Sequence, residues 1–396
     1  MLLRALILVI LIKLSILACA DGWDYNQKEF VFLENRNIPF SNISEEINSA
    51  NVYNTIIWAY EEKNKEKNLK EWKKELKDIY SLQEVEEFVY KRINLQNLKD
   101  KEILDYINFV KEQEEHVTFH YYFSDEEKTK LKDYNLLLNE ALHKIDETSS
   151  SWLKLRYFYL ALRLAHYKKH NPLKIYEKYK YLLENNTQTV VKDWILGLYA
   201  GALVKNGETV KGVYEFSRLF SEDKINSHLS YYNFFHIKTN EQWNELLNLA
   251  KSNEEKTKFY ALRALNENSN VLEELQNIYT LDKNSKWFEF VLFRELLNTQ
   301  HYFDQHSDYE RNFNFKKYIE FLNTIKKDDM YLVNLSLAYF YLYEKNFEKS
   351  LEITNELLRI YPNSHEVQTL SYILYLEQLK NIDNIVAHEK GRLKAL

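Results

Sequence analysis

Residues 330–365 read Met330-YLVNLSLAYFYLYEKNFEKSLEITNELLRIYPNS-His365, and this stretch decides the fold. Tyr331 to Tyr343 is nearly all apolar, and Glu344-Lys345-Asn346 after it is a polar corner. Beyond the corner Phe347, Ser350, Leu351, Thr354, Leu357, Leu358 and Tyr361 recur every three or four residues, the period of one helix face, until Pro362-Asn363 stops the run. Two helices joined in this way form a hairpin that buries its apolar face only against a neighbour.

Working outward, the same rhythm recurs. Trp152 to Tyr167 reads as a helix, His170-Asn171-Pro172 as a corner with Asn171 the N-cap and Pro172 the first helical residue, and Leu173, Tyr176, Tyr179 and Leu183 as the next face. Trp194-ILGLYAGALVKN-Gly207 supplies a further first helix, with Gly207 as its left-handed stop, and Val210 to Phe220 its partner. Ala165 and Ala200 are 35 residues apart, so these two pairs are expected to stack in register. The G-x-x-x-G string at Gly197 and Gly201 is read as close packing of a helix on its hairpin partner. Capping boxes at Ser81/Glu84, Ser124/Glu127, Thr239/Gln242 and Ser252/Glu255 start other helices, with spans expected over 242–251, 254–266, 271–279 and 286–298.

The 330–365 hairpin resembles a tetratricopeptide repeat, a pattern of about 34 residues. Ala338, Tyr341, Phe347, Ser350 and Pro362 stand at the family's places for small, aromatic and closing residues. Asn334 and Thr354 depart from it where the family carries rings, and Leu357 where it prefers alanine. The resemblance implies an all-α chain forming a right-handed α-solenoid of stacked hairpins. The stretches Trp194 to Phe220 and Ala264 to Leu297 also resemble an uncharacterised group of exported bacterial repeat proteins, which implies no activity. The expected organisation is a signal peptide over 1–18, an irregular lead-in over 19–43, an N-terminal helical module over 44–147, hairpin repeats over 148–300, a linker over 301–314 and tetratricopeptide-like repeats over 315–396.

The leader begins with Arg4, continues through apolar Ala5 to Ile12 and Lys13, and ends in Leu14-SILA-Cys19, the charged start, apolar middle and small-residue end of an export signal. Interrupted by Lys13, it falls short of the roughly 20 apolar residues of a permanent span. Cys19 is the sole cysteine of the 396 residues and lies in the cleavage window, so no internal disulfide uses it. Ile16-Leu17-Ala18-Cys19 resembles the bacterial lipobox, which implies lipid attachment at Cys19 and, with Ala20 following, an outer-membrane address. Ordinary signal-peptidase cleavage before Asp21, giving a soluble periplasmic or secreted chain, is the alternative.

Composition excludes several classes. The 6 glycines are scattered and cannot form a phosphate-cradling loop or a dinucleotide fingerprint, and with 3 prolines they leave little material for a sheet protein's turns. Loss of Arg4 and Lys13 with the leader takes the formal charge from −6 to −8, and the lysine clusters are interleaved with acids, so no nucleic-acid partner is expected. The 31 tyrosines and 22 phenylalanines fall mostly at helical spacing and read as filling between stacked hairpins.

His116-Val-Thr-Phe-His120 places two imidazoles at metal-ligand spacing beside Glu114 and Glu115, but Val117 stands where a zinc protease carries its general-base glutamate; His301 and His306 flank Asp304 more loosely. Neither set is assigned as a metal site. No nucleophile elbow or separable carboxylate pair marks an enzyme, so catalytic residues and cofactors are expected to be none. The expected function is an envelope lipoprotein that binds another envelope protein or an extended peptide, with membrane contact through the lipid alone. A glycan-capturing surface lipoprotein and an enzyme with an unrecognised site are the alternatives.

Overall fold

The computed structural model describes residues 53–117, 133–167, 170–184, 189–220, 227–266, 269–305, 313–327 and 330–378, and among them every regular element is helical. The leader, Cys19, the lead-in, His120 and the Ser124/Glu127 box lie outside the described residues. The chain forms two compact units, one within residues 37–309 and one within residues 310–396.

The larger unit begins with α1 (Tyr53–Glu75) and α2 (Leu82–Glu86), which runs on as a π-helical turn, Glu87–Lys91. There follow α3 (Lys101–Val117), α4 (Tyr134–Glu147), α5 (Ser151–Tyr167), α6 (Pro172–Tyr179), α7 (Val190–Lys205) and α8 (Thr209–Ser217). The unit continues with α9 (Ser227–Phe234), α10 (Asn240–Leu249), α11 (Asn253–Ala264), α12 (Val271–Leu281) and α13 (Lys286–Gln305). The smaller unit holds α14 (Phe315–Ile325), α15 (Tyr331–Tyr343), α16 (Phe347–Ile360) and a last helical stretch, α17, over 365–378.

Helix starts follow the local chemistry. Ser81 and Thr239 form reciprocal capping boxes with Glu84 and Gln242, and Ser252 accepts from the Glu255 amide at 3.2 Å. Asn171 caps α6 through the Lys174 amide, with Pro172 in its first turn. Gly207 ends α7 at φ 87°, and Lys345 turns the 344–346 corner at φ 58°. One element runs further than expected: α13 extends to Gln305, into the 301–314 stretch read as linker. The alternation of polar and aromatic residues there hides a period that the preceding helix simply continues.

Within the larger unit neighbours pack side by side: α4 on α5, α5 on α6, and α7 on α5, α6 and α8. Ala165 and Ala200 are both fully buried, and Tyr176 of α6 stacks on Tyr199 of α7 at 3.7 Å and 9°. Of the described glycines, Gly212 makes a tighter backbone approach than either glycine of the G-x-x-x-G string. A Cβ at Gly212 would lie 2.8 Å from the Ala200 carbonyl oxygen and 3.0 Å from the Val204 nitrogen, whereas at Gly197 and Gly201 it would meet only side chains, at 3.2 and 3.3 Å. In the smaller unit α15 is buried from Leu332 to Tyr341, and Ser350 of α16 donates to the Ala338 carbonyl at 2.6 Å, so small residues mark the helix crossing. Asn334 and Thr354, the departures from the repeat pattern, are buried and bonded locally: Asn334 Nδ2 donates to the Lys327 carbonyl while its Oδ1 stays unpartnered, and Thr354 donates to the Ser350 carbonyl.

His166, near the end of α5, is half-buried with its Nδ1 unpartnered, and burial followed by the charge of Lys205 holds its pKa below the ordinary 6.5. The unfolded chain therefore binds a proton below about pH 6.5 that the folded unit resists, and stability is lost as pH falls from there to the lowered native value. His166→Gln is expected to flatten that acid limb, measured as urea midpoints between neutral and mildly acid pH; an unchanged slope would remove His166 from the account.

Candidate functional site

A cavity of about 540 Å³ opens among α1, the π-helical turn, α3, α5 and α7 of the larger unit. Each helix contributes one face at helical spacing. Helix α1 brings Asn64, Lys65, Asn68 and Trp72; α3 brings Tyr106, Ile107, Val110 and Glu114; α5 brings Arg156, Tyr159, Leu160 and Arg163. Trp194 enters from α7, Val89 and Tyr90 from the π turn, and Arg92 just beyond it. The π turn ends on Arg92 in the left-handed region, φ 55°, an unfavourable conformation for a long side chain and of the kind that gathers at binding sites.

Arg156 is the centre of the wall. Only 2% exposed, its guanidinium lies 3.9 Å from the Trp152 ring and 4.7 Å from the Trp72 ring, and these indoles meet edge to face at 4.5 Å. A cation is tolerated at this depth because the rings present their negative faces and because its Nη2 donates to Asn68 Oδ1 at 2.8 Å and to Glu71 Oε2 at 3.3 Å. Asn68 in turn donates to the Tyr90 hydroxyl at 2.8 Å. Glu71 accepts from the Thr189 hydroxyl and the Val190 amide, both at 2.7 Å, and so caps α7 from a distant helix. A continuous polar chain thus runs from Tyr90 through Asn68, Arg156 and Glu71 to the start of α7.

Three other tethers frame the cavity. Trp194 Nε1 donates to Asn64 Oδ1 at 3.0 Å, Lys65 pairs with Glu86 at 2.7 Å, and Arg92 pairs with Glu114 at 2.6 Å. Burial pushes the Tyr106 hydroxyl up to about 12 and also raises Tyr90 and Tyr159, so these phenols are neutral at physiological pH. Burial draws Arg156 below its ordinary value, opposed by Tyr106 and Glu71. Cations, indoles and neutral phenols suit the cavity to holding an electron-rich molecule.

Of the histidines singled out in the sequence as candidate metal ligands only His116 has a described side chain; His306, like His120, lies outside the described residues, as do the side chains of His301 and Asp304. His116 sits in the last turn of α3, its ring 6.2 Å from that of Tyr134, and does not line the cavity. Among the described residues no group of His, Cys, Asp and Glu is arranged to hold a metal ion. None of the described helices is long and apolar enough to cross a membrane. Sequence reasoning missed Arg156, Asn68 and Tyr90; the available signal was Arg156 standing between Leu155 and Tyr157 on the buried face of a helix whose other charges from Trp152 to Ala165 are Lys154 and Arg163. Comparison of the chain with protein-family models, with curated proteins and with solved structures finds no match.

Proposed function

We propose that the protein is a binding scaffold: a right-handed α-solenoid of tetratricopeptide type, exported to a bacterial envelope, anchored in the outer membrane by a lipid on Cys19, and engaging another envelope protein or an extended peptide. The observation that supports this reading is the lateral packing in the larger unit, where α7 lies at once on both helices of the preceding hairpin and on its own partner α8. Repetition of that step generates the extended surface through which helical-repeat proteins bind. Glycan capture would call for exposed, coplanar indoles; among the described tryptophan side chains Trp72, Trp243 and Trp287 are buried and Trp152 and Trp194 half-buried, which favours a protein partner.

Two measurements test the proposal. Mass spectrometry of the mature amino terminus after labelled-palmitate feeding is expected to find a lipidated Cys19 and to lose the label in Cys19→Ala; a free Asp21 terminus overturns the anchor. Photocrosslinkers placed in living cells at the exposed positions Tyr167, Tyr181 and Tyr232 are expected to give one adduct of defined mass. Absence of any adduct, or a ladder of unrelated ones, overturns the scaffold.

A further inference from the structure

We propose that the cavity bordered by α1, α3, α5 and α7 binds a small organic monocarboxylate carried on an aromatic or branched apolar body. The first ground is charge. Lys65, Arg92, Arg156 and Arg163 line the cavity against the single carboxylate of Glu114, in a chain of net charge −6. Glu86 neutralises Lys65, Glu114 neutralises Arg92, and Glu71 contacts Arg156. Half-buried Arg163 makes no ion pair among the described residues. The wall is therefore short of one negative charge, which a carboxylate supplies and which a phosphate dianion would overshoot.

The second ground is hydrogen bonding. Trp72 Nε1, Arg92 Nε and Arg156 Nε are buried without an acceptor, and among the described lining residues no buried side-chain acceptor is left without a donor. An unmatched buried donor is costly, and three in one wall leave that wall biased toward negative charge. These nitrogens have almost no accessible surface of their own, so they act on an occupant mainly through the positive potential that their N–H dipoles project across a poorly screened wall. Direct contact with the anion falls to Arg163, the half-buried lining cation without an ion pair among the described residues.

The third ground is shape. Val89, Ile107, Val110 and Leu160 supply aliphatic surface, and Tyr159 and Trp194, their rings 5.1 Å apart, supply an aromatic wall. The volume lies within the range of about 300–1,000 Å³ typical of sites that enclose a small organic molecule. An inorganic anion would leave this apolar surface unused.

The inference rests on the binding reading above in one respect, that the occupant is held and not converted. It is tested by isothermal titration calorimetry of the purified chain with naphthylacetate, its neutral analogue naphthylacetamide and the dianionic naphthylmethylphosphonate. Naphthylacetate is expected to bind at least about tenfold more tightly than either analogue, the ratio set by one charge-assisted contact. Arg163→Gln is expected to erase the preference for the acid while leaving the amide's affinity and the unfolding temperature unchanged, because Arg163 is half-exposed and outside the Arg156 cluster. Equal affinity for acid and amide, tighter binding of the phosphonate, retention of the acid preference in Arg163→Gln, or no heat from the acid with folded protein would each overturn the site. Chromatography of the recovered ligand keeps the two proposals apart: unchanged naphthylacetate agrees with both, whereas a converted product overturns the binding-only reading and leaves the carboxylate site standing.

Discussion

Gly212→Ala is expected to destabilise the larger unit by roughly 3 kcal/mol and to lower its thermal midpoint by several degrees, followed by far-ultraviolet circular dichroism. In an exposed helix the same change would stabilise by about 1 kcal/mol, since glycine is the poorer helix former. Here the added methyl meets the Ala200 carbonyl oxygen at 2.8 Å and the Val204 nitrogen at 3.0 Å, and backbone cannot swing aside as a side chain can. The hairpin of α7 and α8 must then open. Gly201→Ala is the comparator: its methyl meets the edge of the His166 ring at 3.3 Å, a contact relieved by a small ring movement, and propensity and crowding should nearly cancel. Equal effects at the two positions would refute close backbone approach as the role of Gly212.

The other large effect is expected at Arg156. Arg156→Ala leaves a gap between Trp72 and Trp152, removes a donor from Asn68, and strands part of Glu71, a combination that costs roughly 3–5 kcal/mol where one partner of a buried ion pair is deleted. Arg156→Met keeps the length and most of the volume, and Glu71 retains the Thr189 hydroxyl and the Val190 amide, so less than about half of that loss is expected. Urea unfolding monitored by tryptophan fluorescence measures both variants, since three indoles border the cluster or the cavity. Wild-type stability in Arg156→Ala would show that the guanidinium is not structural at all.

Helix positions were legible wherever a short-range signal set them. The 331–343 helix, the Asn171-Pro172 start, the Gly207 stop and the capping boxes at Ser81 and Thr239 each depend on residues within one turn of each other, and each stands where the sequence puts it. What the sequence concealed depends on distance. The end of α13 lies in a stretch with no boundary residue, and the tightest approach of α7 and α8 requires knowing which glycine faces which carbonyl. The cavity is the extreme case. Asn64, Lys65, Asn68 and Trp72 look like an ordinary mixed helix face, and only the arrival of Arg156 from α5 and Trp194 from α7 turns them into a wall. Arg156 gave a partial signal as a charge among apolar residues, but nothing local names Asn68 or Glu71 as its partners.

The tie that closes the cavity also orders events in time. Most helices of the larger unit pack on chain neighbours, contacts that form early because little loop entropy is lost in making them. The bonds from Glu71 to Val190 and from Asn64 to Trp194 span 119 and 130 residues and can form only after the intervening helices have assembled. The amides at the start of α7 should therefore exchange with deuterium sooner than those of the α7–α8 crossing, and proteases should find the unit first through α1, which would peel away while the hairpins behind it stay folded.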